Sequence, residues 1–573
     1  MYKRPLYLAL VWNQHQPYYQ DASRGEFIMP WVRLHAAKNY YQMAAILEDY
    51  PQVRQTFNLT PSLLDQLKDY TEKRYDDYYL QVMKPAPQLS EADRRFLLQH
   101  YFDIQWDRVI ENIPRYRELL ELQGRQREPD AVREVMKRFT EEDYRDLQVW
   151  FNLSWMDPEI RAGDPFLSHL EKKQRSFSEE EREKLLEKQE EILKEVIPVH
   201  RRLKQKNRIE ITTTPFYHPI APLLIDSYSA LRATPNLPLP DSRFAYREDL
   251  YAHLESAKKQ YQEYFEGSPA GIWPPEQAVS PETVAVFRDA GFTWTISDEQ
   301  ILERSLGLEI YRDDYGHVLN PEVLYQPYLV SGEGAEMAMV FRDHHLSDRI
   351  GFEYQNFHGD HAAEDLVHRL HRIRENLRHS RGNFLVTISL DGENAWEWYP
   401  DDKRTFLHGL YRRLTHDPLI KCVTVSEFLE QNPPRRRIEH LFTGSWVDHS
   451  LTRWIGTEHK NRMWDLLASA RREVEEYSER LEAPDEKLET ALEHVYTAEG
   501  SDYQWWADSM PYYLAAPFDA LFRKHLANIY RSLELPVPGE LFSPVLEPEE
   551  GEPAWEEDPL AGPVSISRGK TTE

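Results

Sequence analysis

Two segments of this chain end a short apolar run in a carboxylate. In Gly271-Ile272-Trp273-Pro274-Pro275-Glu276 the run stops at two prolines. These cannot extend a sheet ladder and have restricted φ, so the turn they make is stiff. Glu276 is then presented at the C-terminal end of a strand. Taken alone, it reads equally as a glutamate in a first helical turn, favoured by the helix dipole. In Phe384-Leu385-Val386-Thr387-Ile388-Ser389-Leu390-Asp391-Gly392-Glu393-Asn394 the clearest buried strand of the chain terminates at Asp391. Gly392 permits a sharp turn and close approach of backbone to ligand, and Trp396 and Trp398 follow. A strand-end Asp is also a common helix N-cap, so neither carboxylate decides the matter by itself. The pair does more. Retaining cleavage of a glycosidic bond needs two carboxyl groups about 5–5.5 Å apart, one to attack the anomeric carbon and one to protonate the leaving oxygen. Glu276 and Asp391 lie 115 residues apart (391 minus 276). Only a fold that gathers strand ends can bring them together.

Short β-type runs recur between long helical segments: Leu6–Trp12, Val53–Asn58, Ile209–Thr213, Gly271–Trp273, Thr293–Ser297, Met337–Phe341 and Phe384–Leu390, with a weaker eighth, Lys421–Val425. Apolar runs of this length alternating with helices predict a parallel sheet buried on both faces. Seven such units point to a barrel of (β/α)7 type, whose strand C-termini carry the chemistry. The catalytic barrel is expected over residues 1–430, with a helical insertion at about 61–205 that contains no convincing strand. There Ser178 and Glu181 have capping-box spacing. Leu185, Leu186, Ile192, Leu193, Val196 and Ile197 then form one apolar stripe, and Pro198 should kink or end that helix. Over 431–535 the steps of four and three at Met463, Leu467, Ala470, Val474, Tyr477 and Leu481 predict a helical bundle. Residues 536–573, rich in Pro, Glu and Gly, read as a disordered acidic tail.

Composition narrows the partners. The 573 residues carry a formal net charge of -28, which repels nucleic acid and anionic membranes. No stretch approaches the roughly 20 apolar residues of a membrane span. One cysteine, Cys422, allows no internal disulfide. The apolar start, Leu6 to Trp12, breaks into Asn13-Gln14-His15-Gln16 with no small-residue cleavage site. A buried first strand and a cytoplasmic location are expected. Aromatics reach 12%, which suits sugar stacking and equally suits ordinary cores. Histidines are plentiful (His15, His35, His218, His344, His345, His449, His459), so a metal-dependent deacetylase is the rival chemistry. No metal-ligand spacing stands out, and no metal or cofactor is expected.

Five segments in order resemble glycoside hydrolase family 57. They are His15-Gln16-Pro17; Ile209-Glu210-Ile211-Thr212-Thr213 with Phe216-Tyr217-His218-Pro219; Trp273-Pro274-Pro275-Glu276; Leu390-Asp391-Gly392-Glu393-Asn394; and Gly444-Ser445-Trp446 with Trp454-Ile455-Gly456 and Asn461. Further family-like stretches are Pro30 to His35, Phe57 to Pro61, Phe341 to Asp348, and Ala498 to Asp502 with Trp505-Trp506. The resemblance covers about residues 5 to 530 and implies a (β/α)7 barrel followed by a helical bundle. It also implies a retaining mechanism on α-glucans (starch, glycogen, maltooligosaccharides, pullulan) without an obligatory metal. By the same resemblance, Glu276 matches the family nucleophile and Asp391 the general acid/base. His15, Glu210, Trp273, Arg342, Asp343, Trp396, Trp446, Asp502 and Trp505 are the candidates for holding sugar. The match is closest to the amylopullulanase-like and α-amylase-like members, through His15 to Tyr19 and Asp391 to Trp396, and it looks less like the branching-enzyme members, whose first motif differs. Some members have His-x-His at the first motif, where this chain has Asn13, a residue that can hydrogen-bond but cannot carry a proton. Alternatives to a hydrolase are a 4-α-glucanotransferase and a non-catalytic glucan-binding pseudoenzyme.

Overall fold

The computed structural model describes residues 4–21, 25–125, 129–393 and 395–547. Asn394 and the part of the expected tail from 548 onward lie outside the described residues. Seven parallel strands form a ring: β1 (Leu6–Gln14), β2 (Gln55–Leu59), β3 (Ile209–Thr212), β4 (Gly271–Ile272), β5 (Trp294–Asp298), β6 (Ala335–Arg342) and β7 (Leu385–Asp391). Each pairs with the next, and β7 returns to β1. Between β3 and β4 the ring is joined by one parallel bridge, Thr213 to Ile272. The seven expected runs are these seven strands. The eighth run, β8 (Ile420–Cys422), is no stave of the barrel: among the described residues it pairs only with Leu6, Tyr7 and Leu8 at the start of β1.

Strand alternation sorts the interior into layers. Ala9, Val11, Trp294, Ile296, Val340 and Leu385 form an apolar plug inside the ring, closed by Val423, Val425 and Phe428 after β8. One layer further toward the strand C-termini the inward residues turn polar. Asn13 stands beside Asp391 on one side and Asn58 on the other, and Asn58 beside Thr212. The apolar layer supports the ring, and the polar layer lies level with Asp391.

The insertion is helical as expected, with one exception. Asp76–Asp77 forms a short strand against Glu26–Phe27, which pairs with Gln20–Asp21. The Ser178/Glu181 capping box is present and opens α1 (Glu179–Gln205). This helix runs through Pro198, so the proline does not end it. Val196, Val199, His200 and Leu203 are all buried, so packing on both sides of the proline outweighs the hydrogen bond it removes.

Beyond the barrel, α2 (Glu458–Ser478), α3 (Glu486–Ala498) and α4 (Tyr512–Ser532) make the bundle. Residues 536–547 are not a free tail. Leu541 and Leu546 are buried, Arg523 Nη1 on α4 donates to Leu541 O at 3.0 Å, and Val545 N donates to Asp519. Asp519 and Arg523 are themselves buried, and the docked segment supplies partners that buried polar groups require.

Gly271 shows how tightly the ring is closed at β4. A methyl group built on it would lie 2.2 Å from the Trp294 ring. Gly271→Ala is expected to destabilise the protein by about 2–3 kcal/mol through overpacking, read as a lower thermal midpoint; an unchanged midpoint would contradict this packing.

Candidate active site

Glu276 follows two prolines into a conformation that L-residues avoid. Its φ is 55° and ψ 26°, and Gln277 also has positive φ (49°). The prolines fix the approach, and Gln277 anchors the turn. Its Nε2 donates to Ser389 Oγ at 2.9 Å and its carbonyl accepts from Ser297 Oγ at 3.1 Å. Ser389 lies two residues before Asp391 on β7, so the turn bearing one carboxylate is tied to the strand bearing the other.

Each carboxyl group has its own donor. Trp446 Nε1 donates to Glu276 Oε2 at 2.8 Å, and Trp446 N to Glu276 O at 3.2 Å. Asn13 Nδ2 donates to Asp391 Oδ1 at 2.9 Å, while Asn58 Nδ2 donates to Asn13 Oδ1 at 2.8 Å and Thr212 Oγ1 to Asn58 Oδ1 at 3.2 Å. A relay across four strand ends therefore orients Asp391. Both carboxylates are partly exposed at the cleft floor. Burial, then the charge of Asp391, pushes the Glu276 carboxyl up to about 7, against the Trp446 bond and the charge of His15.

His15 stacks on His218 with ring centroids 3.8 Å apart and planes 15° apart. Its Nε2 is 3.0 Å from Asp502 Oδ1. Burial alone would lower its pKa, but Asp502, Glu276 and Asp391 together raise it. Asp502 opens the short helix Asp502–Trp506, which also carries Trp505. The Arg453 guanidinium carbon sits 4.2 Å over the Trp505 ring. The loop holding Trp446 and Arg453 and this helix thus adjoin Glu276.

The nine sugar-binding candidates divide. His15, Trp446, Asp502 and Trp505 are partly exposed around the carboxyl pair. The other five lie behind this surface. Glu210 is one layer deeper in the barrel, accepting from Trp294 Nε1 (3.1 Å), Ser426 N (3.1 Å) and Thr56 Oγ1 (3.3 Å). Asp343 is fully buried, bound to Tyr325 OH (2.7 Å), Leu346 N (2.9 Å) and Arg312 (3.1 Å). Trp396 is wholly buried, donates to Gly392 O at 2.7 Å and packs on Trp12 and Tyr399. Trp273 is buried edge-on to Trp446, 5.4 Å between ring centroids. Arg342 is buried against Asp298. These five contact protein, Glu210, Asp343, Arg342 and Trp396 through their polar atoms and Trp273 through its ring.

Sequence reasoning misses several neighbours. Arg453 carries no local signal. Asn13 stands out in the sequence only as a substituted histidine, not as the donor to Asp391. Glu393, buried with Gln16 Nε2 3.4 Å from its Oε1, is pushed well above the usual carboxylate range by burial and then by Asp391.

Two groups among the described residues have the side-chain types of a metal site: His15, His218 and Asp502, and Asp298, His344 and His449. In the first, His15 Nε2 is 3.0 Å from Asp502 Oδ1 and His218 Nδ1 is 3.0 Å from Ser501 Oγ. In the second, Arg342 Nε already donates to Asp298 Oδ2 at 2.7 Å, and a guanidinium there repels a cation.

With fold and site described, the chain can be set beside known proteins. A search of curated proteins found no match. Among solved structures, a GH57 branching enzyme from Thermococcus kodakaraensis superposes with a TM-score of 0.58 at 15% identity, over 92% of this chain and 90% of that one. An α-amylase from Thermotoga maritima gives 0.54 at 14%, over 93% and 94%. A 4-α-glucanotransferase from Thermococcus litoralis gives 0.52 at 14%, over 92% of this chain and 60% of that one. Such identities speak for a shared fold. The family model for glycosyl hydrolase family 57 matches residues 9–440. That match spans most of the sequence and contains both carboxylates and the strands that carry them: the chain belongs to glycosyl hydrolase family 57, and it is a glycoside-active enzyme.

Proposed function

We propose that the protein is a retaining α-glucan hydrolase in which Glu276 is the nucleophile and Asp391 the general acid/base. The observation that carries this reading is the carboxyl pair itself. Two acids from different strand ends share one partly exposed floor, and the charge of one raises the pKa of the other. Such a pair holds one proton over a range of pH. One member can then attack while the other protonates.

In the first step the Glu276 carboxylate forms a bond to the anomeric carbon as the C–O bond to the leaving sugar breaks, and the Asp391 proton goes to the departing oxygen. Asp391, now ionised, takes a proton from water. The resulting oxygen nucleophile attacks the anomeric carbon and releases Glu276. Trp446 favours the ionised form of Glu276 by donating to it. His15, braced by Asp502, favours the ionised form of Glu276 by its charge. Trp505 offers a ring edge beside it, and Arg453, clamped on that ring, donates to hydroxyls of a neutral glucan.

The same ester serves a second reading, transfer to a glucan hydroxyl. A 4-α-glucanotransferase and a branching enzyme have this fold, and fold does not choose between acceptors. With maltoheptaose, shorter products alone support hydrolysis, and oligomers longer than the substrate support transfer.

Glu276→Gln and Asp391→Asn are each expected to lower turnover of maltoheptaose by at least about 10³-fold with circular dichroism unchanged. Near-normal turnover in either variant would sink the assignment. The pH dependence carries a sign. Glu276 must be ionised to attack, so kcat/KM should fall about tenfold per pH unit below an acid limb near 7. A limb at the ordinary glutamate position would contradict the crowding described here. Arg453→Met should raise KM for maltoheptaose about tenfold, the cost of losing a charged donor, with the thermal midpoint held; a KM within twofold of the parent would remove Arg453 from the substrate surface.

A further inference from the structure

Arg342 was expected at the substrate, yet its side chain is only 7% exposed. Its contacts are all with protein and unusually distributed. Nε donates to Asp298 Oδ2 at 2.7 Å and Nη1 to the Ser389 carbonyl at 3.2 Å. Nη2 is 3.0 Å from His344 Nδ1 and 3.7 Å from Asp348 Oδ1. The face of the guanidinium lies over Trp446, 4.8 Å from the ring centroid. Trp446 is the residue whose indole N–H reaches Glu276 Oε2. Ser389 is the residue whose hydroxyl accepts from Gln277, next to Glu276, and which precedes Asp391 by two positions.

We propose that Arg342 is a positioning residue for the catalytic pair: without touching substrate, it holds the Trp446 indole against the Glu276 carboxylate and ties that unit to the Asp391 strand at Ser389. This rests on the reading of Glu276 as the ionised nucleophile. The physical argument has two parts. A cation over the face of an indole draws electron density from the ring and fixes its orientation, which makes the N–H a better and steadier donor. A donor aimed at a carboxylate favours its ionised form. The fork matters as much as the charge, because a single guanidinium serves Asp298, Ser389 and the ring at once, which an ammonium cannot do.

The surroundings keep this arrangement in place. Burial pushes Asp298 up, but Arg342, His344 and His449 outweigh it and hold the carboxyl well below its usual range. Bonds to Asp298 and Asp348 overcome the effect of burial and push His344 up to about 10. Arg342 therefore faces Asp298, Asp348 and His344, with His449 3.5 Å from Asp298. Glu276 faces Asp391 and Asp502, which oppose its ionisation, and His15 and Trp446, which favour it. Arg453 also feels the Glu276 charge. Of the groups that face Glu276, Trp446 is the one Arg342 packs against.

The test is a cycle read by pH. Arg342→Met and Trp446→Phe, made singly and together, are assayed as kcat/KM for maltoheptaose from pH 5 to 9, with thermal melting alongside. Losing either member should raise the Glu276 pKa and move the acid limb up by about half to one pH unit. The loss at pH 6 should then exceed the loss at pH 8 by about two- to fivefold. The double variant should move the limb no further than Trp446→Phe alone. If Arg342→Met does not fold, Arg342→Met with Asp298→Asn, which removes both buried charges, takes its place. An acid limb that stays where the parent has it, or shifts that simply add in the double variant, overturns the role of Arg342. An active Glu276→Gln enzyme would instead bring down the proposed function, so the two failures are distinct.

Discussion

The site is organised around the repulsion between two acids. Placing Glu276 and Asp391 beneath one cleft raises the cost of ionising both, and burial adds to it. Everything within reach then bears on where the remaining proton sits. Donors are assigned separately, an indole to Glu276 and an amide to Asp391. Neither donor can lose its own proton at ordinary pH. Asn13 in place of a histidine fits this logic: it orients Asp391 without adding another titrating group.

Holding the pair also costs backbone strain. Two consecutive non-glycine residues, Glu276 and Gln277, occupy the left-handed region, at about 1–3 kcal/mol each. The strain is borne by neighbours that leave the chain no alternative: two prolines before it, and Ser297 and Ser389 hydrogen bonds to Gln277 after it. The apolar plug beneath keeps the strand ends at one level. The relay from Thr212 through Asn58 and Asn13 to Asp391 works only because parallel register places those four residues side by side.

Much of this was legible before any coordinates. Short apolar runs located all seven staves, because a strand buried on both faces reads as a near-continuous apolar stretch. The carboxylates stood out because each closes such a run. The misreadings have a common cause. Glu210, Asp343, Trp273, Trp396 and Arg342 all sit in or beside the motifs, but adjacency in sequence does not say which layer a side chain enters. Trp396 packs into the core and Trp505 onto the cleft, although both follow an acid by a few residues. Pro198 stays within a helix because buried neighbours on either side hold it there, a tertiary override of a strong local rule.

The sequence by itself determined the staves, the bundle and the two acids, since these follow from local patterning and residue chemistry. Tertiary structure alone decided which aromatic and charged side chains gather at the two acids, and that Arg342 lies on the Trp446 ring whose N–H reaches Glu276. The reason is physical: hydrogen bonds and charge interactions act over a few ångströms in space, and residues 276, 342, 391 and 446 become neighbours only when the ring closes.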